Sequence, residues 1–308
     1  MNSLNDDFII QRIQKLKKEQ DAVILAHNYQ IPEIQDLADF TGDSLELSIK
    51  ASELNCKVLV FCGVRFMAET AKILSPQKLV LLPVAEAGCP MADMITPDEL
   101  IAFKAQHPGA IVVCYVNSTA DVKAECDITV TSANAVQIVS DLPRDREIIF
   151  LPDRHLGAYV ERVTGRSMIL WPGYCATHAR ITPEDIRRMR NQYPDAIVLV
   201  HPECPLDTIQ EADEVLSTGG MCSFVRNSPG RRFVVATELG IIHRLKKENP
   251  RAEYYPVSPQ TVCPNMKLTR PEDVLSALER KEYAIEVPES IRVRAELPIR
   301  RMLAGSLV

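Results

Sequence analysis

DAVILAHNY at 21–29, GAIVVCYVN at 109–117 and DAIVLVHPE at 195–203 are three versions of one segment, an apolar run that ends in polar residues. Superposed, they place His27, Tyr115 and His201 at one position, and Tyr29, Asn117 and Glu203 two residues later. The copies are offset by 88 and 86 residues, and the register holds beyond the strand. Seventeen residues on stand Ser44, Ser132 and Thr218, each where a helix could begin. Sixty to sixty-two residues on stand Cys89, Cys175 and Cys263. Helix-start signals then recur as Thr96-Pro97-Asp98-Glu99, Thr182-Pro183-Glu184-Asp185 and Thr269-Arg270-Pro271-Glu272. A Thr cap, an early Pro and acidic first-turn residues favour helix initiation. Val/Ile/Leu runs match by chance easily, but four features in one register mark an internal repeat.

Apolar runs at 22–27, 57–62, 79–84, 110–116, 148–152, 196–201 and 232–236 alternate with helical patterns. That alternation reads as α/β with parallel strands. The period is too long for a solenoid unit, so each copy should be a small α/β domain. The expected domains are 1–88 together with 267–308, 89–174, and 175–266. The surplus tail is expected to return to the first domain as a helix near 271–281, a short strand near 284–287 and a final helix.

An apolar content of 46% over 308 residues is enough for a full core, and 25% charged residues argue against bulk disorder. A net charge of −6 disfavours a nucleic-acid surface. No stretch approaches the roughly 18 apolar residues of a membrane helix, and the first residues do not read as a signal peptide. A cytoplasmic protein without nucleic-acid or membrane partners is therefore expected. Nine cysteines, an odd count, argue against a disulfide framework. Cys62 and Cys114 fall inside apolar runs and read as core residues.

Ligands of parallel α/β sheets bind beyond the carboxyl ends of the strands. Residues at i and i+2 of a strand share a face, so His27 with Tyr29, Tyr115 with Asn117, and His201 with Glu203 form two-residue prongs. Around a pseudo-threefold axis the prongs converge, and so do Cys89, Cys175 and Cys263. Three soft thiolates suit zinc with a fourth ligand, or a 4Fe–4S cluster with one iron uncapped. The histidines, Glu203 and Tyr29 are candidates for proton transfer. Ser44, Ser132 and Thr218 offer hydroxyls and free backbone N–H groups to an anionic substrate, although ordinary N-capping explains any one of them.

The segment AHNYQIPEIQDLADFTGDSL at 26–45 and the stretches AGCPMAD, YVNS, SAN, WPGYCATH, HPEC, STGG and CPNM together resemble quinolinate synthases over nearly the whole chain. The resemblance implies three homologous three-layer αβα domains around a pseudo-threefold axis. It implies one 4Fe–4S cluster on Cys89, Cys175 and Cys263, with an uncapped iron acting as Lewis acid. It implies condensation of iminoaspartate with dihydroxyacetone phosphate to quinolinate, phosphate and water, in NAD biosynthesis, with a functional link to an L-aspartate oxidase. His27, Ser44, Tyr115, Asn117, Ser132, His201, Glu203 and Thr218 match substrate-binding positions, and Tyr29 and Glu203, assisted by the histidines, match acid–base positions. Met266 and Thr269 stand where some members carry further cysteines, so the chain resembles the shorter subtype. Cys204 is expected as a wall of the site. The competing readings are another three-cysteine cluster enzyme of radical or reductase type, and a non-enzymatic metal-binding module.

Overall fold

Each of the three quoted segments is the first strand of its own sheet. The structure, a computed structural model, describes residues 3–228 and 230–307. The first sheet holds β1 (Ala22–His27), β2 (Phe40–Gly42), β3 (Val58–Cys62) and β4 (Leu79–Leu81). The second holds β5 (Ile111–Tyr115), β6 (Ile128–Val130), β7 (Ile148–Leu151) and β8 (Ile169–Leu170). The third holds β9 (Ile197–Val200), β10 (Glu214–Val215), β11 (Arg232–Ala236) and β12 (Glu253–Pro256). All three have the same order, second–first–third–fourth strand, and every pairing of these strands is parallel. The repeat is thus a repeat of topology as well as of sequence.

Alternate residues of each first strand enter two different cores, as a period of two requires. Ile24 and Ala26 pack outward beneath the helices Ser3–Gln20 and Pro271–Arg280, with Ile13, Val274 and Leu278. Leu25 packs inward with Leu47 and Ala71 of the helices Ser44–Glu53 and Arg65–Leu74. The second and third sheets repeat this division, with Val112 and Val198 outward and Val113 and Leu199 inward. Each sheet is therefore covered on both faces, giving three αβα layers, and the inner faces merge into one shared core. Cys62 and Cys114 are buried in the outer cores, as their apolar surroundings imply.

The structure adds a repeat feature that the strand comparison passed over. Asp39, Asp127 and Asp213 stand just before the second strand of each unit. Their carboxylates accept the first-strand N–H groups of Ile24 (2.8 Å), Val112 (2.8 Å) and Val198 (2.7 Å). Each Asp N–H in turn donates to the carbonyl of that same residue. These reciprocal pairs fix the first strand against its neighbour at the amino end and so set where its carboxyl end lies.

The tail departs from expectation in part. The helix Pro271–Arg280 does pack on the first unit, where Gln20 donates to the Leu278 carbonyl at 2.8 Å. It is capped at Arg270 rather than Thr269, with Asp273 accepting the Arg270 N–H at 2.8 Å. The segment near 284–287 contributes a single antiparallel bridge, Ala284 to Leu81. The last helix, Glu289–Ala304, turns to the second unit: Thr129 donates to the Pro298 carbonyl (3.2 Å) and Arg301 to the Asp127 carbonyl (2.8 Å). Its buried stripe of Ala295, Ile299 and Met302 closes the shared core, which explains the detour.

Replacing Asp127 with Ala orphans the Val112 N–H inside a covered strand. An unpaired buried amide costs about 1–3 kcal/mol. Urea unfolding should show a loss of that size, and an unchanged midpoint would mean that the reciprocal pair contributes nothing.

Candidate active site

A cavity of about 210 Å³ lies beyond the carboxyl ends of the three sheets, and all twelve residues singled out in the sequence line it. These are the three prongs, the three hydroxyl residues and the three cysteines. β1 ends at His27 and β5 at Tyr115, while His201 follows β9 directly. The loops after β4, β8 and β12 bring in Cys89, Cys175 and Cys263.

One chain of hydrogen bonds crosses the cavity through residues of all three repeats. The Tyr115 hydroxyl donates to Glu203 Oε1 at 2.5 Å. Glu203 Oε2 lies 2.8 Å from His178 Nδ1. His178 Nε2 lies 2.8 Å from Thr237 Oγ1, which lies 2.6 Å from the Tyr29 hydroxyl. His178 also stacks on His201, with ring centroids 4.7 Å apart. Burial alone would raise the pKa of Glu203. The attraction of His178 and His201 and the Tyr115 hydroxyl overcome it, and the carboxyl is held well below its usual range. Burial, then the nearby Glu203 charge, push the Tyr29 and Tyr115 phenols well above their ordinary value.

The two strand-end histidines share one arrangement. The Tyr29 N–H donates to His27 Nδ1 (3.2 Å) and the Glu203 N–H to His201 Nδ1 (3.3 Å). An accepting Nδ1 leaves the ring proton on Nε2. Burial lowers both imidazoles to about 3. At neutral pH they are therefore neutral hydrogen-bond donors in the free protein, which suits them better to holding oxygen atoms than to carrying protons.

The helix-start hydroxyls are not spent on capping. Asp43 caps the helix that opens with Ser44, accepting from the N–H groups of Leu45 and Glu46 at 3.0 and 2.9 Å. Ser217 caps the helix Thr218–Arg226 through the Gly220 N–H at 3.1 Å. Ser132 sits in the turn before the helix Ala135–Asp141 rather than on its first turn, and its hydroxyl lies 3.4 Å from His201 Nε2. Asn28 donates to the Thr218 hydroxyl at 3.0 Å and ties the first unit to the third.

The three cysteines share a setting as well. Each sulfur faces the backbone N–H of the residue three places on, namely Ala92, His178 and Met266. Such N–H groups favour thiolate, the form that binds metal. Burial dominates without a metal: it pushes Cys89 up to about 12 and raises Cys175 and Cys263 too. Binding must therefore expel protons. A lone zinc sits ~2.3 Å from each thiolate and needs its donors nearly in contact. Among the described residues, the side chains whose donor atoms all lie within 4.8 Å of one another are Cys175, His178 and Glu203. Those three are already joined by the 2.8 Å His178–Glu203 bond and a 3.2 Å approach of His178 to Cys175. Cys89, Cys175 and Cys263 line the same cavity, so three soft sulfur donors of the kind that bind iron or zinc face a common space.

Reading the strand ends in sequence missed His178, Thr237 and Glu238. His178 stands three residues after Cys175, within a stretch read only for its cysteine. Thr237 and Glu238 directly follow β11, the third strand of the unit, and the strand-end rule applies there equally. Cys204 is not a wall of the cavity: it packs in the outer core of the third sheet, because it lies one residue beyond Glu203 and so faces the other way.

A family model described as "Quinolinate synthetase A protein" matches residues 11–304. The chain is 55% identical over 297 residues to the quinolinate synthase of Dehalococcoides mccartyi strain CBDB1, covering 96% of this chain and 98% of that protein. It is 52% identical over 298 residues to the quinolinate synthase of Geotalea uraniireducens, covering 97% and 98%. It is 51% identical over 302 residues to that of Methanoregula boonei, covering 98% and 100%.

The depressed histidines give a stability signature. A folded pKa of about 3 against an ordinary 6.5 means that the unfolded chain binds the proton more readily between those values. Stability from each histidine is complete above pH ~6.5 and is lost as pH falls toward 3, at about 1.4 kcal/mol per pH unit. In metal-free protein, His27→Gln should flatten the stability profile in that window by about that slope. An unchanged slope would show that His27 is not buried in its neutral form.

Proposed function

The chain belongs to the quinolinate synthetase A family and is an enzyme of the quinolinate synthase type, serving NAD biosynthesis, and from that premise we propose that its central cavity condenses iminoaspartate with dihydroxyacetone phosphate to quinolinate, phosphate and water. The observation that carries this reading is the hydrogen-bonded chain from Tyr115 through Glu203, His178 and Thr237 to Tyr29, in a cavity also lined by three cysteines. Forming a pyridine ring needs repeated proton movement between carbon, nitrogen and oxygen, and general acid–base groups must be placed for it.

Ser44, Ser132 and Thr218 with Tyr115 and Asn117 hold the two carboxylates and the phosphate through hydroxyl, amide and backbone N–H groups. His27 and His201 donate Nε2–H to substrate oxygens. Glu203, kept ionised, takes protons. Tyr29 keeps its proton until a substrate oxygen or carbon needs it, and Thr237 and His178 behind the phenol replace it through their hydrogen bonds. Cys89, Cys175 and Cys263 would hold a 4Fe–4S cluster, which supplies an open iron as Lewis acid when bound. The division into 1–88 with 267–308, 89–174 and 175–266 puts the cavity where three domains meet. We place the enzyme in the cytoplasm, linked in function to an L-aspartate oxidase, since an imine in water is short-lived and must be made close by.

Protein purified without oxygen should contain iron and sulfide and form quinolinate from the two substrates. Cys89→Ser should lose both iron and activity. Tyr29→Phe and Glu203→Gln should retain iron and lose roughly 10²–10⁴ in kcat, the usual contribution of a general acid or base. Full turnover by metal-free protein, or by Glu203→Gln, would contradict the reading.

A further inference from the structure

In the wall of the cavity, which Glu238 lines, one ion pair reaches from the first unit to the third. Lys267 Nζ lies 2.9 Å from Glu238 Oε1 and also donates to the backbone carbonyl of Tyr29. Glu238 is fully buried, and its carboxylate accepts the N–H of Gly240 (2.8 Å) and of Cys263 (3.2 Å). A buried carboxylate is costly unless it is paired and hydrogen-bonded, so Lys267 and the two amides belong to it as a set. That set links the residue bearing the phenol to the third cysteine, which lie 234 positions apart in the chain.

Gly240 is independent support. Its backbone, φ −60° and ψ −26°, suits any residue, so glycine is not needed there for its conformation. A Cβ at that position would lie 2.5 Å from Lys267 Nζ, 2.6 Å from the Tyr29 carbonyl oxygen and 2.8 Å from Glu238 Oε2. Glycine leaves the room that the ion pair fills. Gln35 completes the junction by donating to the carbonyls of Asn28 (3.2 Å), Gln30 (2.8 Å) and Gly240 (2.9 Å). The three carbonyls around the phenol-bearing residue are thereby held by side chains.

We propose that Glu238 and Lys267 are positioning residues: together they fix the height of the Tyr29 phenol relative to Cys263, across the junction of the first and third units. Neither is assigned contact with substrate. The proposal rests on Tyr29 and Cys263 having the roles given above. A displacement of the order of 1 Å at a reacting group can cost about 10²-fold in rate. Loss of the pair therefore acts on turnover rather than on substrate affinity.

The test compares wild type with Lys267→Met, Gly240→Ala and the isosteric Glu238→Gln. Two readouts are used: amide hydrogen exchange in metal-free protein, and kcat with KM per bound cluster in loaded protein. Lys267→Met and Gly240→Ala should each speed exchange at 28–31 about tenfold or more, as in local rather than global opening, and leave 111–115 unchanged. Their iron content should match wild type, kcat should fall roughly 10–100-fold and KM should stay within about threefold. Glu238→Gln should show the same pattern more weakly, and it decides the matter with Gly240→Ala if Lys267→Met does not fold. Wild-type kcat per cluster in either decisive variant, or faster exchange spread equally over 111–115, overturns the proposal. If wild type forms no quinolinate at all, the reaction assignment fails, while the exchange comparison still decides whether the pair holds Tyr29.

Discussion

A parallel sheet has one carboxyl edge, and this chain builds three such edges and turns them on one another. Everything polar in the centre follows from that constraint. Strand-end side chains converge on one shared cavity, and several of the buried polar groups there find partners on another unit. Glu203 finds Tyr115 of the second unit at 2.5 Å. Tyr29 finds Thr237 at 2.6 Å. Asn28 finds Thr218 at 3.0 Å. Cross-unit bonds of this kind cannot form until all three units are folded and docked, which makes the site a property of the assembled chain.

Low effective polarity sorts the groups into donors and acceptors. Burial strips the proton from His27 and His201 at neutral pH and keeps it on the two phenols, while Glu203 stays ionised because His178 stands beside it and the Tyr115 hydroxyl donates to it. The result is an ionised Glu203 facing several neutral donors. On the proposed reading, substrates that carry carboxylates and phosphate would meet hydroxyls, amides and imidazole N–H groups, arranged in advance. Such preorganised donors are worth more in a dry site than in water.

The repeat was legible because strand ends, helix starts and cysteines keep one register through insertions of two residues. The topology then follows, since three copies of a βαβ pattern give three sheets of equal order. Asp39, Asp127 and Asp213 also keep the register, but an aspartate in a loop is too ordinary to notice without seeing the strand amide it accepts. His178 and Thr237 have no counterparts of the same type in the other units, and Glu238 has one, the buried Asp153: Gly63 with Val64 and Pro152 with Asp153 follow the equivalent strands. Their importance appears only when the third unit faces the first. The path of the last helix was illegible for a similar reason, because its apolar stripe names no particular surface and the shared core accepts it from the second unit's side.

The cysteines depend most directly on the convergence of the units. Each sits in a loop after a fourth strand, with an amide three residues on turned toward its sulfur. On the proposed reading, metal binding would make these thiols ionise and would join the three units through one core. An iron anomalous-scattering map from crystals grown without oxygen is the most direct check. Several irons bonded to the sulfurs of Cys89, Cys175 and Cys263 together is the predicted result. A single ion held by Cys175, His178 and Glu203, with the other two sulfurs bare, would contradict the account.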